Sequence, residues 1–164
     1  MVFDIDDTLW YSVDAPDAIK RFGRLEGDRV ADHVGYAQQL VPNAREVLDI
    51  LKDKGYILAI ATMGPEEQVR SFMKGFGIAD YFNFEISAFM REDKGEKIAK
   101  ILEGVNKITN VAPGELVYAD DNLGYLNAAK KRFPEIKCVL AWSFKQDMKT
   151  LNEALQEEHG ITLW

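Results

Sequence analysis

The run Tyr56-Ile57-Leu58-Ala59-Ile60-Ala61-Thr62 carries no charge and does not alternate between apolar and polar positions. A strand with one face in water alternates, whereas a continuously apolar strand is covered on both sides, as in parallel sheets held between helices. Shorter segments at residues 1–4, 82–86, 116–119 and 138–142 read as further short strands, and helical signals fall between them. Asn43 is placed to cap a helix reaching Lys54, with Glu46 as capping-box partner, Gly55 beyond the end, and Val47, Leu48 and Leu51 as its apolar stripe. Pro65 suits the first turn of a helix to about Lys74. Asp93 and Glu96 form a second capping-box pair before Ile98, Ile101 and Leu102, and residues 123–132 and 147–158 complete the set. The fold class expected is α/β: a doubly wound, Rossmann-like parallel sheet of about five strands with helices on both faces.

No repeat, low-complexity tract or linker interrupts the 164 residues, so one domain over 1–164 is expected. Cys138 is the single cysteine, which excludes a disulfide scaffold, and with only His33 and His159 beside it a thiolate or imidazole zinc site is excluded too. A net charge of −7 disfavours a nucleic-acid partner, which requires a basic face. The apolar run at 57–63 is far short of the roughly 20 residues of a membrane span. The start, Met1-Val2-Phe3-Asp4, reaches an acid at once, unlike a secretory signal. These features predict a soluble, cytoplasmic protein. Residues 11–40 depart from the α/β pattern, mixing Pro16, Gly23, Gly27 and Gly35 with many charges. They predict a short β-hairpin or loop insert after the first strand, with its turn near Gly27-Asp28. Ligands of doubly wound sheets bind beyond the carboxyl ends of the strands, so the position of this insert matters more than its form.

The chemistry gathers at those same strand ends. Asp4-Ile5-Asp6-Asp7-Thr8-Leu9 follows the first strand, and residues two apart in extended chain share a side, so Asp4 and Asp6 can converge. Carboxylates held about 5 Å apart repel by about 3 kcal/mol per pair at an effective dielectric near 20. A hard cation with oxygen ligands offsets that repulsion, and magnesium is a natural candidate. Asp120-Asp121 closes another strand on the same predicted edge; an acidic turn with helix capping is the bland alternative for either cluster alone, and their coincidence favours a metal site. Thr62 and Met63 end a third strand and open a helix, where a hydroxyl and backbone N–H groups can hold a phosphoryl oxygen. Lys94 begins a helix, the wrong end of the dipole for a cation, which suggests that it serves a nearby anion; Lys97, one turn on, competes for the role.

In order and strand context, Asp4-Ile5-Asp6-Asp7-Thr8, Thr62, Lys94 and Asp120-Asp121 resemble the four motifs of the haloacid dehalogenase superfamily of phosphatases. Residues 4–10, the short insert and residues 117–122 look most like its magnesium-dependent phosphatase family, whose members carry a minimal cap; Asp7 stands where most of the superfamily has Gly. The resemblance implies Asp4 as nucleophile and Asp6 as general acid and base, with Thr62, Met63 and Lys94 on the phosphate. It implies Mg2+ between Asp4, the Asp6 carbonyl and Asp121, with Asp120 a ligand or a close partner. The implied substrate is a phosphate monoester, phosphotyrosine and sugar phosphates both being compatible, presented as a small molecule or a phosphopeptide. An acid two residues after the nucleophile favours phosphate esters over halides, whose departure needs no proton. Trp10, Tyr11, Phe22 and Tyr36 are placed to wall the mouth, or to pack the insert onto the sheet, and Trp142 to line the same edge or join the core. The alternatives are a phospho-accepting receiver-like module, in which the acid pair precedes a mid-chain acceptor, and a non-catalytic binding protein of the same fold.

Overall fold

The computed structural model describes residues 1–14, 23–24, 28–32, 35–87, 93–141, 144 and 146–163. In chain order the strands are β1 (Val2–Phe3), β2 (Trp10–Val13), β3 (Gly23–Arg24), β4 (Arg29–Ala31), β5 (Ala37–Leu40), β6 (Ala59–Thr62), β7 (Phe84–Ser87), β8 (Val117–Asp120) and β9 (Lys137–Leu140). The helices are α1 (Ala44–Asp53), α2 (Glu66–Phe76), α3 (Lys94–Asn106), α4 (Leu123–Arg132) and α5 (Thr150–His159). Five strands form a parallel sheet in the order β7-β6-β1-β8-β9. The chain winds outward from β1 in one direction through β6 and β7, then returns to build β8 and β9 on the other side. The strand order reverses at β1, so the crevice beside its carboxyl end is the place where such sheets bind ligands. This order also departs from the 2-1-3-4-5 arrangement of receiver domains, which sets that alternative aside.

Alternate residues of each central strand enter two separate cores. Phe3, Ile60, Val117 and Ala119 face Val47, Leu48, Val69, Phe72, Leu151 and Leu155, the inner sides of α1, α2 and α5. Val2, Ala59, Ala61 and Tyr118 face Ile98, Ile101, Leu102, Leu126 and Ala129, the inner sides of α3 and α4. Burial on both faces is why these strands are apolar without a break. Among the described residues no helix is long and apolar enough to cross a membrane.

Several local expectations are corrected. Residues 56–58 are not strand: Tyr56 N–H closes the end of α1 on the Leu51 carbonyl, and pairing with β1 begins at Ala59. Asn43 makes no capping hydrogen bond; it adopts a left-handed conformation (φ 60°), and its amide donates to Asp147 Oδ1 at 2.9 Å. Glu46 likewise pairs with Lys149 at 2.9 Å instead of closing a capping box. Asp93 does cap, its carboxylate accepting Glu96 N–H at 2.9 Å. Pro65 sits at the N-cap and not inside the first turn. The last helix starts at Thr150, three residues later than its pattern suggested, because Asp147 spends its side chain on Asn43 and on the Lys149 N–H.

The insert is more than a hairpin: β2, β5, β4 and β3, in that spatial order, form an antiparallel sheet of four strands. β3 and β4 lie against α2. Val30 and Leu40 join Trp10, Phe72 and Phe76 in the core, with Trp10 ring centroids 6.0 Å from Phe72 and 5.5 Å from Phe76. Arg45 of α1 donates to the Phe76 carbonyl at 2.7 Å and pairs with Asp28, so the insert is anchored on α1 and α2. Asp28 sits at the start of β4, near the expected turn, while Gly27, Phe22, His33 and Trp142 lie outside the described residues.

Beyond β1 the chain turns tightly. Thr8, Leu9 and Trp10 N–H groups all point to the Ile5 carbonyl, and Asp7 N–H donates to the Trp10 carbonyl at 2.7 Å. Closing this turn puts Asp7 in the left-handed region (φ 59°), which explains the glycine usual at this point: glycine reaches that region without a Cβ penalty, and aspartate tolerates it better than a β-branched residue. Asp7→Gly should leave the unfolding free energy within about 1 kcal/mol of wild type, whereas Asp7→Val should lose about 1–2 kcal/mol. Urea unfolding of the two variants checks this, and equal stabilities would contradict it.

Candidate active site

Parallel strands bring their carboxyl ends together, and three of the five end in the expected residues. Asp4 follows β1, Thr62 ends β6 and Asp120 ends β8. Oxygen atoms of Asp4, Asp120 and Asp121 all lie within 4.8 Å of one another, with Asp4 and Asp120 buried and Asp121 half-buried. Lys94, the first residue of α3, is fully buried among them. Its Nζ donates to Asp4 Oδ1 at 2.5 Å and to the Ala61 carbonyl at 2.7 Å, and lies 3.1 Å from Asp120 Oδ2. The Tyr125 ring, 5.0 Å from Nζ, closes the far side. A helix N-terminus tolerates this cation because two carboxylates surround it. Lys97 is also buried, in the next turn of α3.

The carboxylate oxygens of Asp120 have further partners: Oδ1 accepts the Asn122 N–H at 2.8 Å, and Oδ2 accepts the Tyr118 hydroxyl. Tyr118 was not among the expected site residues, although its position two before Asp120 on one strand puts both on the same face. Asp4 is backed by burial on almost every side, which pushes its carboxyl up to about 7; Lys94 pulls the other way and Asp120 adds to the rise. Three carboxylates offering only hard oxygen donors, with one ammonium against them, suit a divalent cation such as magnesium by donor chemistry.

The Asp6 carboxylate is not in this cluster. The tight turn carries it to the rim of the cleft, exposed on one side, where Oδ1 accepts the Trp10 indole N–H at 3.0 Å. Surrounding protein still raises its carboxyl above the usual range, opposed chiefly by that hydrogen bond. Trp10 is buried, so its ring belongs to the core and its edge to Asp6. Tyr11 is half-buried against the same core, and Tyr36 is exposed. The buried hydroxyl of Thr62 accepts the Gly64 N–H at 3.0 Å and so shapes the turn between β6 and α2; Met63 is partly exposed. A Cβ added to Gly64 would lie 3.0 Å from Val69 Cγ2 and 3.9 Å from Asp6 Oδ2. The tight contact is with Val69, so the absence of a side chain at residue 64 lets this turn pack closely on α2.

A carboxyl whose folded pKa exceeds its unfolded value of 3.8 adds stability that is complete below about pH 4 and lost as pH rises toward 7. Without divalent cations, the urea midpoint should therefore fall between pH 5 and pH 7.5, and the fall should be smaller in Asp4→Asn. Parallel profiles for the two proteins would refute this origin. Magnesium, which favours the ionised carboxylate, should raise the wild-type midpoint at pH 7.5 and leave Asp4→Asn nearly unmoved.

Comparison with known proteins agrees with the geometry. A phosphoglycolate phosphatase from Haemophilus influenzae is 36% identical over 64 residues, 39% of this chain and 27% of that protein. This chain therefore matches about a quarter of the length of that curated relative. A HAD phosphatase from Thermococcus onnurineus superposes with a TM-score of 0.50 at 32% identity, covering 57% of this chain and 43% of that one. The N-terminal part of a Bacteroides fragilis protein, containing a phosphatase domain complexed with Mg, superposes with a TM-score of 0.62 over 99% of this chain and 40% of that one; at 17% identity this likeness concerns the fold. The sequence profile of the haloacid dehalogenase-like hydrolases matches residues 3–140, and the chain belongs to that family.

Proposed function

We propose that the protein is a magnesium-dependent phosphatase of phosphate monoesters working through an aspartyl-phosphate on Asp4. The observation that carries this reading is the buried Lys94 Nζ, 2.5 Å from Asp4 Oδ1 and 3.1 Å from Asp120 Oδ2, with Asp121 in the same oxygen cluster. Asp4 and Asp121, with the Asp6 carbonyl and Asp120 beside them, would hold the ion, which supplies positive charge to the phosphoryl oxygens when bound.

A carboxylate oxygen of Asp4 attacks phosphorus and forms a new P–O bond as the bond to the leaving alcohol breaks. Asp6, with its raised pKa and its place at the rim, gives its proton to the departing oxygen. The same carboxylate then takes a proton from water, whose oxygen attacks phosphorus; inorganic phosphate leaves and Asp4 is restored. Lys94 holds Asp4 in place and offsets the charge that gathers, while the Thr62 hydroxyl, which accepts the Gly64 N–H, keeps its own proton for a phosphoryl oxygen beside the Met63 N–H. Trp10 fixes the Asp6 carboxylate through the indole N–H. The substrates expected from the motif resemblance are sugar phosphates or phosphotyrosine, and the curated relative acts, by its name, on phosphoglycolate.

Phosphate release from para-nitrophenyl phosphate, with magnesium and after chelation, tests the assignment. Activity should vanish on chelation and return with the metal, and Asp4→Asn should lose about 10³-fold or more in kcat. Magnesium-dependent thermal stabilisation with no turnover would favour the non-catalytic alternative. Asp6→Asn should cost about 10²-fold on an alkyl phosphate and much less on para-nitrophenyl phosphate, whose leaving group needs little help from an acid. Trp10→Phe keeps an aromatic ring in the core and removes the N–H, so in the folded variant it should show the same leaving-group dependence at about 3- to 10-fold. A loss independent of leaving group would reduce Trp10 to a core residue.

A further inference from the structure

Among the described residues buried in the core beneath α3 and α4, Tyr118 is the one that carries a hydroxyl. A phenylalanine would fill the same volume, and a hydroxyl withdrawn from water is tolerated only when it is hydrogen-bonded. Tyr118 is wholly buried, and its hydroxyl donates to Asp120 Oδ2, the oxygen that also lies 3.1 Å from Lys94 Nζ. Asp120 Oδ1 accepts the Asn122 N–H at 2.8 Å. Three donors, from β8, from α3 and from the start of α4, thus fix both oxygens of this carboxylate. Lys94 stands between two buried carboxylates and is closer to one of them, 2.5 Å from Asp4 Oδ1 against 3.1 Å from Asp120 Oδ2. A hydroxyl that shares Oδ2 engages part of that oxygen's charge, so Asp120 draws less strongly on the ammonium.

We infer that Tyr118 is a positioning residue for the chemistry of Asp4: by holding Asp120 with its hydroxyl, it tips Lys94 toward Asp4. The kinetic consequence rests on the phosphatase reading, whereas the structural one rests on the Lys94 cluster alone. Without the hydroxyl, Oδ2 has the ammonium as its remaining side-chain donor among the described residues, and Lys94 moves toward Asp120. Asp4 then loses part of the contact that orients its attacking carboxylate. Thr62, Met63 and Asp6, the groups assigned to the phosphate and the leaving oxygen, keep their places. The loss therefore falls on turnover and not on substrate binding.

Two measurements test this. In the proton–nitrogen spectrum of the lysine ammonium groups, recorded without magnesium or substrate, Lys94 should give a slowly exchanging signal, because its Nζ is buried and bound on three sides. Tyr118→Phe should shift that signal and speed its exchange. Replacing all tyrosines by 3-fluorotyrosine, whose more acidic hydroxyl is the stronger donor, should shift it the opposite way. On para-nitrophenyl phosphate with saturating magnesium, Tyr118→Phe should lower kcat about tenfold and leave KM within about twofold. A Lys94 signal unmoved by either replacement overturns the inference, as does a kcat unchanged in the folded variant or a loss carried by KM. If Tyr118→Phe does not fold, the fluorotyrosine protein decides: a shifted Lys94 signal with a raised or altered kcat supports the role, and an unmoved one overturns it. A wild type without turnover defeats the phosphatase reading, and the ammonium signal then decides the Tyr118 pairing by itself. Turnover in wild type with no change in the variant defeats the Tyr118 assignment only.

Discussion

The site depends on one ammonium group. Lys94 is withdrawn from water at the start of α3, and such burial is stable only when opposite charge is close and well oriented. Asp4 arrives from β1 and Asp120 from β8, neighbouring strands whose parallel register sets both carboxylates at the same height. The Ala61 carbonyl arrives from β6 on the other side of β1. Three strands and one helix terminus therefore meet at Nζ, and a shift in any of them would leave a buried charge without its partner. The sheet's central register and the geometry of the acidic cluster around Lys94 are one constraint seen from two sides.

Around that fixed point, the two acids of the opening motif live in different surroundings. Asp4 is enclosed and paired with a cation; Asp6 is at the rim, steered by an indole N–H and open on one side. Environments that differ this much are how two chemically identical groups take unlike roles. β1 ends at Phe3, and the turn that gathers the Thr8, Leu9 and Trp10 N–H groups on the Ile5 carbonyl lies between them. Had the strand simply continued, the two carboxylates would have shared one face and repelled each other.

How much of this was legible beforehand follows from where the determining interactions lie. The central strands β1, β6 and β8 could be read because burial on both faces leaves an apolar run, and Asp4, Thr62 and Asp120 stood out because they are polar where the run stops. Lys94 could be singled out by its misfit with the helix dipole. Residues whose partners lie far along the chain could not be read in this way. Asn43 looks like a local cap, yet its amide is taken by Asp147, 104 residues away. The four-stranded insert lacks clear alternation because Val30 and Leu40 are buried by Phe72 and Phe76 of a distant helix, not by the insert itself. Trp10 read as a mouth residue or a packing residue, and its two ends divide those parts: ring in the core, nitrogen on Asp6.

The chain leaves the central fold at Trp10 and comes back at Leu40, directly opposite it in the antiparallel ladder, and Val41 N–H donates to the Leu9 carbonyl at 2.9 Å. Departure and return thus share a doorway one residue pair wide, and everything between hangs outside the frame that aligns the reacting groups. An appendage of another size can enter and exit through the same doorway at little more than the logarithmic entropy of a longer loop. The appendage can therefore change while Asp4, Lys94 and Asp120 keep their places, the two parts joined only by the residue pair at its base.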